Sequence, residues 1–324
     1  MSKTPALPDP SNDLSNTAQT TQTRRQLPVG HEIFLDHVGH YVRDAEAAGR
    51  ALRRLGFAPT PISIQSDKDP ASGGLIATGT GNITAMFARG YMEVLFRTSD
   101  SPLVREFDGA LARRAGPYIV AFSVADAAAA RGRLASTGFP VRDLVRMQRP
   151  VNTESGPDTA AFTIARVEAS TMPEGRIQIL THHTEHTVWQ PRWLSHPNGV
   201  CELIDVVIAV GDVEEAAQRF TQFTGRPATP TPGGALIRLD RGGVYLVSHQ
   251  RATEKLPEVP VTSLPVIIGY ALGVQSLAAA EEAVDGANLE WRAIEDGIVA
   301  TFPTELGEGA WFFVERPEAL PWRR

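Results

Sequence analysis

The sequence of 324 residues predicts an α+β fold of four repeated units, each with the order strand, helix and three strands. Two observations support this prediction. Four segments open with an apolar strand that leads into an Ala-rich helix, and each segment ends in another apolar strand. At the same place in all four, a short polar residue stands where the strand becomes the helix. Four matches in one repeating frame indicate a single supersecondary unit used four times.

The four units follow one another along the chain. Their openings and closing strands are FLDHVGHYVRDAEAAGRAL and GYMEVLF (90–96), PYIVAFSVADAAAARGRL and GRIQILT (175–181), ELIDVVIAVGDVEEAAQRF and GGVYLVS (242–248), and PVIIGYALGVQSLAAAEEAV and GAWFFVE (309–315). Each unit has room for two more β-rich strands between its helix and its closing strand. Residues 146–160 are polar with two prolines, which predicts a long insertion in the second unit.

The helix boundaries are the most clearly marked features of each unit. A short polar side chain before a helix can accept a hydrogen bond from a free backbone N–H of the first turn. The predicted N-caps are Asp44, Asp126, Asp212 and Ser276. Glycine closes three of the helices, in Leu-Gly-Phe, Thr-Gly-Phe and Thr-Gly-Arg, which is typical of a helix C-cap.

The units group into two domains. Residues 1–28 are rich in Ser, Thr, Asn, Gln and Pro, so we predict a disordered N-terminal tail. The stretch HHTEHTVWQPRWLSHPNGV (182–200) predicts an ordered connection that ends in a tight turn. A boundary near residue 195 follows, with a first domain at 29–195, which includes the connection, and a second domain at 196–324.

Composition excludes several classes of partner. The net charge is −6 and no run of Lys or Arg exceeds two residues, which argues against nucleic acid and anionic membrane surfaces. The single cysteine, Cys201, cannot form an intramolecular disulfide. No apolar stretch approaches the ~18 residues of a membrane-spanning helix, and no export signal is recognisable, so we expect a cytoplasmic protein. A small-molecule ligand is the expected partner, and a homodimer is left open.

The opening LDHVGHYVRDAEAA (35–48) resembles the module opening of the vicinal oxygen chelate superfamily, in which a histidine stands seven residues before the capping Asp. The resemblance covers roughly residues 31–316. Within the superfamily, GTGNITAMF, GYMEVL and VWQPRWLSHPNG look most like the glyoxalase-like domain group. The resemblance implies that the four βαβββ modules pair into two half-barrels, and that the inner ends of first and last strands line a cavity.

The resemblance also implies where metal ligands would lie. In the first module the ligand positions hold His37 and Glu93, whereas in the second they hold Ile119, which cannot bind metal, and Gln178. Alternation from Gln178 places His182 on the same face of the strand, as a further ligand at the cavity mouth. Such a set suits a divalent zinc, iron, nickel or manganese ion.

His37 and Glu93 are also the catalytic candidates, and other roles for them stay open. His37 is a metal ligand, a metal-free acid or base, or a strand histidine bonded to a neighbour. Glu93 is a ligand, a general base, or one half of a salt bridge. The second half holds Asp205, Tyr245, Gly269 and Phe312 at the corresponding positions and lacks a full ligand set, so we interpret it as structural or as a second binding surface.

The resulting hypothesis is a metal-dependent enzyme of the lyase, isomerase or dioxygenase type that acts on a small oxygenated metabolite. The alternative is a metal-free protein of the same fold that sequesters a small molecule without catalysis. A third hypothesis is an interaction scaffold in which the paired barrels only dimerise. The aromatic residues predicted to line the substrate pocket are Phe34, Phe87, Tyr91, Phe122 and Trp189.

Overall fold

The computed structural model describes residues 25–68 and 74–324, so the predicted tail at 1–28 lies almost entirely outside the described residues. Within the described residues all four units have the predicted order of strand, helix and three strands. In the same part of the chain, none of the helices has the length and apolar composition that crossing a membrane requires.

The first half of the chain contains the first two units. The first unit consists of β1 (Ile33–Tyr41), α1 (Ala45–Arg54), β2 (Ser63–Lys68), β3 (Leu75–Met86) and β4 (Tyr91–Arg97). After helix α2 (Pro102–Arg113), the second unit consists of β5 (Gly116–Val124), α3 (Ala127–Ser136), β6 (Val145–Thr153), β7 (Gly156–Arg166) and β8 (Arg176–His182). A short helix, α4 (Glu185–Val188), and a 3₁₀ turn (Pro191–Trp193) follow in the connection.

The second half repeats this order. The third unit consists of β9 (Val200–Val210), α5 (Val213–Thr224), β10 (Ala228–Thr231), β11 (Gly234–Arg238) and β12 (Gly243–Ser248). After helix α6 (His249–Lys255), the fourth unit consists of β13 (Val266–Val274), α7 (Leu277–Gly286), β14 (Trp291–Ile294), β15 (Gly297–Thr301) and β16 (Ala310–Val314). Two further 3₁₀ turns lie at Thr304–Leu306 and Pro317–Ala319.

The predicted N-caps are confirmed in all four units. In each case the side chain accepts a hydrogen bond from a backbone N–H two or three residues further on, and the capping residue itself has extended backbone angles. Each cap satisfies one or two of the donors that the first helical turn leaves free. The four helices therefore begin where the sequence places them.

The two halves close differently. The first eight strands form a closed barrel in the order β1-β4-β3-β2-β6-β7-β8-β5, whereas the last eight form a sheet in the order β10-β11-β12-β9-β13-β16-β15-β14. The barrel closes because β2 meets β6 at two register pairs, Ser66–Gln148 and Asp67–Met147. The corresponding edge strands of the second half, β10 and β14, have only four residues each and do not pair.

The predicted insertion at residues 146–160 is wrong. These residues form most of β6 and the start of β7. The two strands pair along their whole length and turn at residues 154–155. Pro150 is compatible with β6 because this strand pairs with β2 only through Met147 and Gln148, so most of its outer edge needs no N–H donor.

The largest apolar core lies between the barrel and the second sheet and combines side chains of both halves, among them Leu35, Phe122, Val206 and Trp311. A second core covers the inner face of the open sheet, and a third lies inside the barrel. Because the main core is shared, the two halves pack as one body.

His40 contributes to the junction between the halves. Its Nδ1 lies 2.9 Å from the carbonyl oxygen of Leu306, and its Nε2 lies 2.8 Å from the hydroxyl of Tyr270. Burial lowers the pKa of His40 to about 4, so the imidazole is neutral at pH 7. Nδ1–H therefore donates to the carbonyl, and Nε2 accepts from the tyrosine hydroxyl.

Candidate functional site

A cavity of about 70 Å³ lies inside the barrel, between the first and second units. Charged, imidazole and amide groups form much of its wall, which is unusual for the interior of a small barrel. These groups belong to His37, Gln65, Asn82, Glu93, Arg149, Arg166, Arg176 and Gln178. The cavity has space for a few water molecules or for a ligand of a few heavy atoms.

Two consecutive residues of β1 begin the site. The strand has a register irregularity opposite β5 between Leu35 and His37, so the pleat is interrupted at Asp36. Asp36 is fully buried, and its two carboxylate oxygens contact two histidines. His37 Nδ1 lies 2.8 Å from Oδ1, and His182 Nε2 lies 2.9 Å from Oδ2.

The charge of Asp36 fixes the protons on both histidines. Burial by itself raises the pKa of this carboxyl, but the charges and hydrogen bonds of His182 and His37 outweigh burial and hold the pKa well below its usual range. An ionised carboxylate only accepts hydrogen bonds, so His37 donates from Nδ1 and His182 from Nε2. In neutral His37 the remaining nitrogen, Nε2, then has a lone pair directed toward the cavity.

Glu93 faces that lone pair. Its Oε2 lies 3.7 Å from His37 Nε2, while Oε1 accepts hydrogen bonds from Asn82 Nδ2 at 2.6 Å and from Gln65 Nε2 at 3.2 Å. Tyr91 stacks on the His37 ring with centroids 4.4 Å apart. Contacts with neighbouring side chains thus fix both His37 and Glu93, and Nε2 of His37 and Oε2 of Glu93 point toward each other.

Gln178 offers a third potential donor atom, an amide oxygen, beside His37 Nε2 and Glu93 Oε2. It lines the same cavity, and its buried Oε1 has no hydrogen-bond partner among the described residues. Ile119 also lines the cavity, so the fourth position holds an aliphatic side chain. No group of three or more His, Cys, Asp and Glu side chains suited to a metal occurs in the described part of the chain. A metal here would have one imidazole, one carboxylate and one amide as protein ligands, a nitrogen and oxygen set that fits a divalent ion.

His182 does not line the cavity. It is buried behind the wall, with Nε2 bonded to Asp36 and its ring packed against Trp189 at 4.8 Å and Phe162 at 5.1 Å. The alternation from Gln178 that predicts His182 as a ligand continues to the end of β8. There, however, the His182 imidazole bonds to the Asp36 carboxylate. His182 supports Asp36 instead of presenting a nitrogen to the cavity.

Of the five aromatic residues predicted to line the pocket, Tyr91 does so. Trp189 lies one layer further out, against the rings of His182 and Tyr91. Phe34 lies under the Arg241 guanidinium of the second half, at 4.3 Å. These two positions correct the predicted lining, because the connection and the irregular start of β1 place both rings outside the cavity wall.

Phe87 and Phe122 also lie outside the cavity. Phe87 follows the end of β3 and packs in the main core, with its ring 5.5 Å from His196. Phe122 packs 5.6 Å from Phe223 of α5. Alternation along β5 explains this position: Ile119 faces the barrel interior, so Phe122, three residues on, faces the opposite side.

Arg149 lies between the cavity and a groove on the outside of the barrel. The groove has a volume of about 370 Å³, and its wall includes Ile62, Ile64 and Trp193. Arg149 lines both spaces, so it forms part of the boundary between them. Its Nη1 donates to the Ser63 hydroxyl at 3.3 Å.

The corresponding region of the second half has a pocket of about 460 Å³, whose wall includes Tyr245, Phe312 and Trp322. Asp205 is fully buried and accepts hydrogen bonds from Trp322 Nε1 at 2.8 Å and from Arg323 Nε at 2.7 Å. The Trp322 ring stacks on Tyr245 at 4.8 Å and meets Phe312 edge-on at 4.9 Å. Asp205 is therefore occupied in anchoring Trp322 and Arg323, whereas Tyr245 and Phe312 both pack on Trp322 and line a pocket, so both interpretations of this half stay open.

Sequence reasoning missed Asp36 and Arg149. The sequence does contain a signal for Asp36, because a carboxylate inside an apolar strand needs a partner. Arg149 lay in a segment that was predicted as an insertion, so no strand face was assigned to it. Both omissions come from an irregular feature: an interrupted pleat in β1, and a proline-containing β6.

The sequence matches the family described as "Glyoxalase-like domain" over residues 35–224. No curated protein sequence matches the chain. Among solved structures, a hypothetical protein from Staphylococcus aureus has a TM-score of 0.58 at 9% identity, covering 87% of this chain and 98% of that one. The Mn(II)-bound glyoxalase from Novosphingobium aromaticivorans has a TM-score of 0.50 at 11% identity, covering 88% and 82%.

Homoprotocatechuate 2,3-dioxygenase from Arthrobacter globiformis is also similar in structure, with a TM-score of 0.51 at 10% identity, covering 93% of this chain and 85% of that one. At such identities the likeness concerns the fold alone. It confirms the predicted α+β architecture of paired βαβββ modules.

Proposed function

Because the chain belongs to the glyoxalase-like domain family, we propose that its N-terminal barrel is the active site of a metal-dependent enzyme acting on a small oxygenated metabolite. The observation that carries the proposal is the His37–Glu93 pair. His37 Nε2 and Glu93 Oε2 face each other at 3.7 Å inside a polar cavity, and when His37 is neutral both atoms are acceptors. Two lone pairs in that arrangement repel unless a cation or a proton lies between them.

His37, Glu93 and Gln178 are the residues that would hold the metal. When bound, a divalent ion supplies a Lewis acid that polarises the oxygens of a substrate. The glyoxalase from Novosphingobium is Mn(II)-bound, which makes manganese a reasonable first ion to test. Iron, zinc and nickel suit the same donors.

The remaining residues prepare the two central groups. Asp36 holds the His37 tautomer that presents Nε2 to the cavity, as carboxylates commonly do for metal-binding histidines. Asn82 and Gln65 bind one oxygen of Glu93 and leave the other free to bind metal or to accept a proton from the substrate. The closed barrel keeps bulk water away from both groups, which strengthens their electrostatic effects.

Metal analysis of protein purified without a histidine tag tests the proposal. We expect about one equivalent of transition metal per chain in the wild type, and its loss in His37→Ala and Glu93→Ala. His183→Ala is the matched control, because this exposed histidine bonds Thr163 and does not line the cavity. A metal-free wild type, or a His37→Ala variant that keeps its metal, would contradict the proposal.

A metal-free binding protein is the second candidate, and Ile119 favours it. An aliphatic side chain at a ligand position leaves the set with only two ionisable donors. In that case dialysis against a chelator leaves ligand affinity unchanged, and His37→Ala alters affinity without any turnover to lose. An enzyme of the proposed type would lose both metal and turnover under the same treatment.

A further inference from the structure

We propose that the ligand of the barrel is a small carboxylic acid with an oxygen on the adjacent carbon, and that Arg149 binds its carboxylate. The acids meant are short 2-hydroxy or 2-oxo carboxylates. The inference rests on the proposed function only in placing the second oxygen toward His37 and Glu93. The recognition of the carboxylate rests on Arg149 and its surroundings.

Arg149 has no ionic partner among the described residues. Its only hydrogen bond to a described side chain is the donation to the neutral Ser63 hydroxyl, and none of the described carboxylates lies within ion-pair distance of it. Burial lowers the pKa of Arg149, although the nearby Tyr91 and Glu93 act in the opposite direction. A guanidinium partly removed from water without a counter-charge is costly, and an anionic ligand would remove that cost.

The other charges around the cavity do not supply that partner. Arg176 has its own carboxylate, Glu106, at 3.6 Å on the far side of the wall. Glu93, the one carboxylate that lines the cavity, has its oxygens directed to Asn82, Gln65 and His37. The charge of Arg149 therefore has no counter-charge among the described residues, so this part of the cavity wall favours an anion.

The size and shape of the site favour a carboxylate over a larger anion. A guanidinium is planar and offers two parallel N–H groups, which match the two oxygens of a carboxylate. The cavity of about 70 Å³ limits the reacting end to a few heavy atoms. Arg149 lies at the boundary with the groove, so a carboxylate bound there would have its adjacent oxygen inside the cavity and any further chain in the groove.

Calorimetric titration with a matched pair of probes tests the proposal. Lactate and lactamide have nearly the same shape and differ in charge, and inorganic phosphate reports on anions of other geometry. We expect lactate to bind and lactamide to bind about 10- to 100-fold more weakly, the range for a lost charge-assisted hydrogen bond. Arg149→Gln should lower lactate affinity by a similar factor, and Arg192→Gln, in the groove but not the cavity, should not.

Equal affinities for lactate and lactamide would overturn the proposal, and so would phosphate binding more tightly than lactate, or no binding of lactate at millimolar concentration. An unchanged lactate affinity in Arg149→Gln would also overturn it. The thermal midpoint of ligand-free Arg149→Gln gives a second readout. We expect it to equal or exceed that of the wild type, since a half-buried charge without a counter-charge is removed, whereas a structural role for Arg149 would lower it.

Metal content of the same preparations separates this proposal from the proposed function. If the wild type contains no metal yet prefers lactate to lactamide through Arg149, the metal-dependent enzyme fails and carboxylate recognition stands. If metal is present and lost in His37→Ala while the two probes bind equally, the enzyme stands and carboxylate recognition fails.

Discussion

Asp36 is the residue whose replacement tests the architecture of the site most directly. The change to alanine removes the acceptor of two hydrogen bonds, at 2.8 Å to His37 and 2.9 Å to His182. Both imidazole N–H groups then remain in a fully buried space without a partner. The change to asparagine keeps one acceptor oxygen and places the amide NH₂ group opposite the second imidazole. That imidazole must then move its proton to the other ring nitrogen in order to accept a hydrogen bond.

The size of each effect follows from these contacts. A buried hydrogen bond to a charged group contributes about 1.5–3 kcal/mol, and breaking a buried ionic pair by removing one partner costs about 3–5 kcal/mol. Asp36→Ala should therefore lower the free energy of unfolding by about 4 kcal/mol. Asp36→Asn keeps neutral hydrogen bonds in place of charged ones, so we expect a loss of about 2 kcal/mol.

Guanidinium unfolding at pH 7, followed by tryptophan fluorescence, measures both values. Trp189 contacts His182 and so reports on the affected side of the barrel. Asp44→Ala is the control, because it removes an exposed helix cap and should cost about 1 kcal/mol. If Asp36→Ala costs no more than Asp44→Ala, the carboxylate does not hold the two histidines and the tautomer argument for His37 fails.

Three further predictions concern stability outside the cavity. Trp322→Ala removes a stacked ring and a hydrogen bond, so the free energy of unfolding should fall by about 3–5 kcal/mol, measured by chemical denaturation; a loss below 1 kcal/mol would refute the packing argument. Gly39→Ala places a Cβ 2.9 Å from the Ile119 Cβ and should cost about 1–3 kcal/mol, whereas Gly109→Ala, in an open helical position, should stabilise by about 0.5–1 kcal/mol. The His40 pKa of about 4, below its usual value of 6.5, means that the folded state binds fewer protons between these values, so stability should fall by about 3 kcal/mol as the pH drops through that window. His40→Gln should remove this slope, and a slope that persists in the variant would assign it to other groups.

Much of the fold could be predicted from the sequence because the repeat multiplies a weak signal. One Asp before an Ala-rich helix is common, but the caps of all four units follow the same frame, and each forms the predicted hydrogen bond. The closure of the first half could not be predicted in the same way. It depends on two register pairs between β2 and β6, and on a proline-containing hairpin whose composition resembles that of a loop.

The candidate site was predictable where strands are regular. In β4 the alternation that places Glu93 with Tyr91 toward the interior holds, because the strand has no irregularity and both residues line the cavity. The pleat of β1 is interrupted at Asp36, so simple alternation cannot show that Asp36 and His37 belong to one cluster. Arg149 illustrates a different limit. It is a candidate ligand-binding residue because it has no ionic partner among the described residues, and this becomes visible only in the assembled barrel.

The contacts of Asp205 have a consequence for how this chain tolerates change over evolution. Positions 37 and 205 are equivalent places in the first and third units, yet the first faces an internal cavity and the second anchors Trp322 and Arg323. Replacing Asp205 should therefore reduce cellular abundance through misfolding, whereas under the proposed function replacing His37 should leave abundant protein that no longer binds metal. A mutational scan scored by expression would then register only position 205, and a scan scored by metal content would register both positions. The two equivalent positions thus differ in what their replacement is expected to affect: folding at position 205 and, under the proposed function, metal binding at position 37.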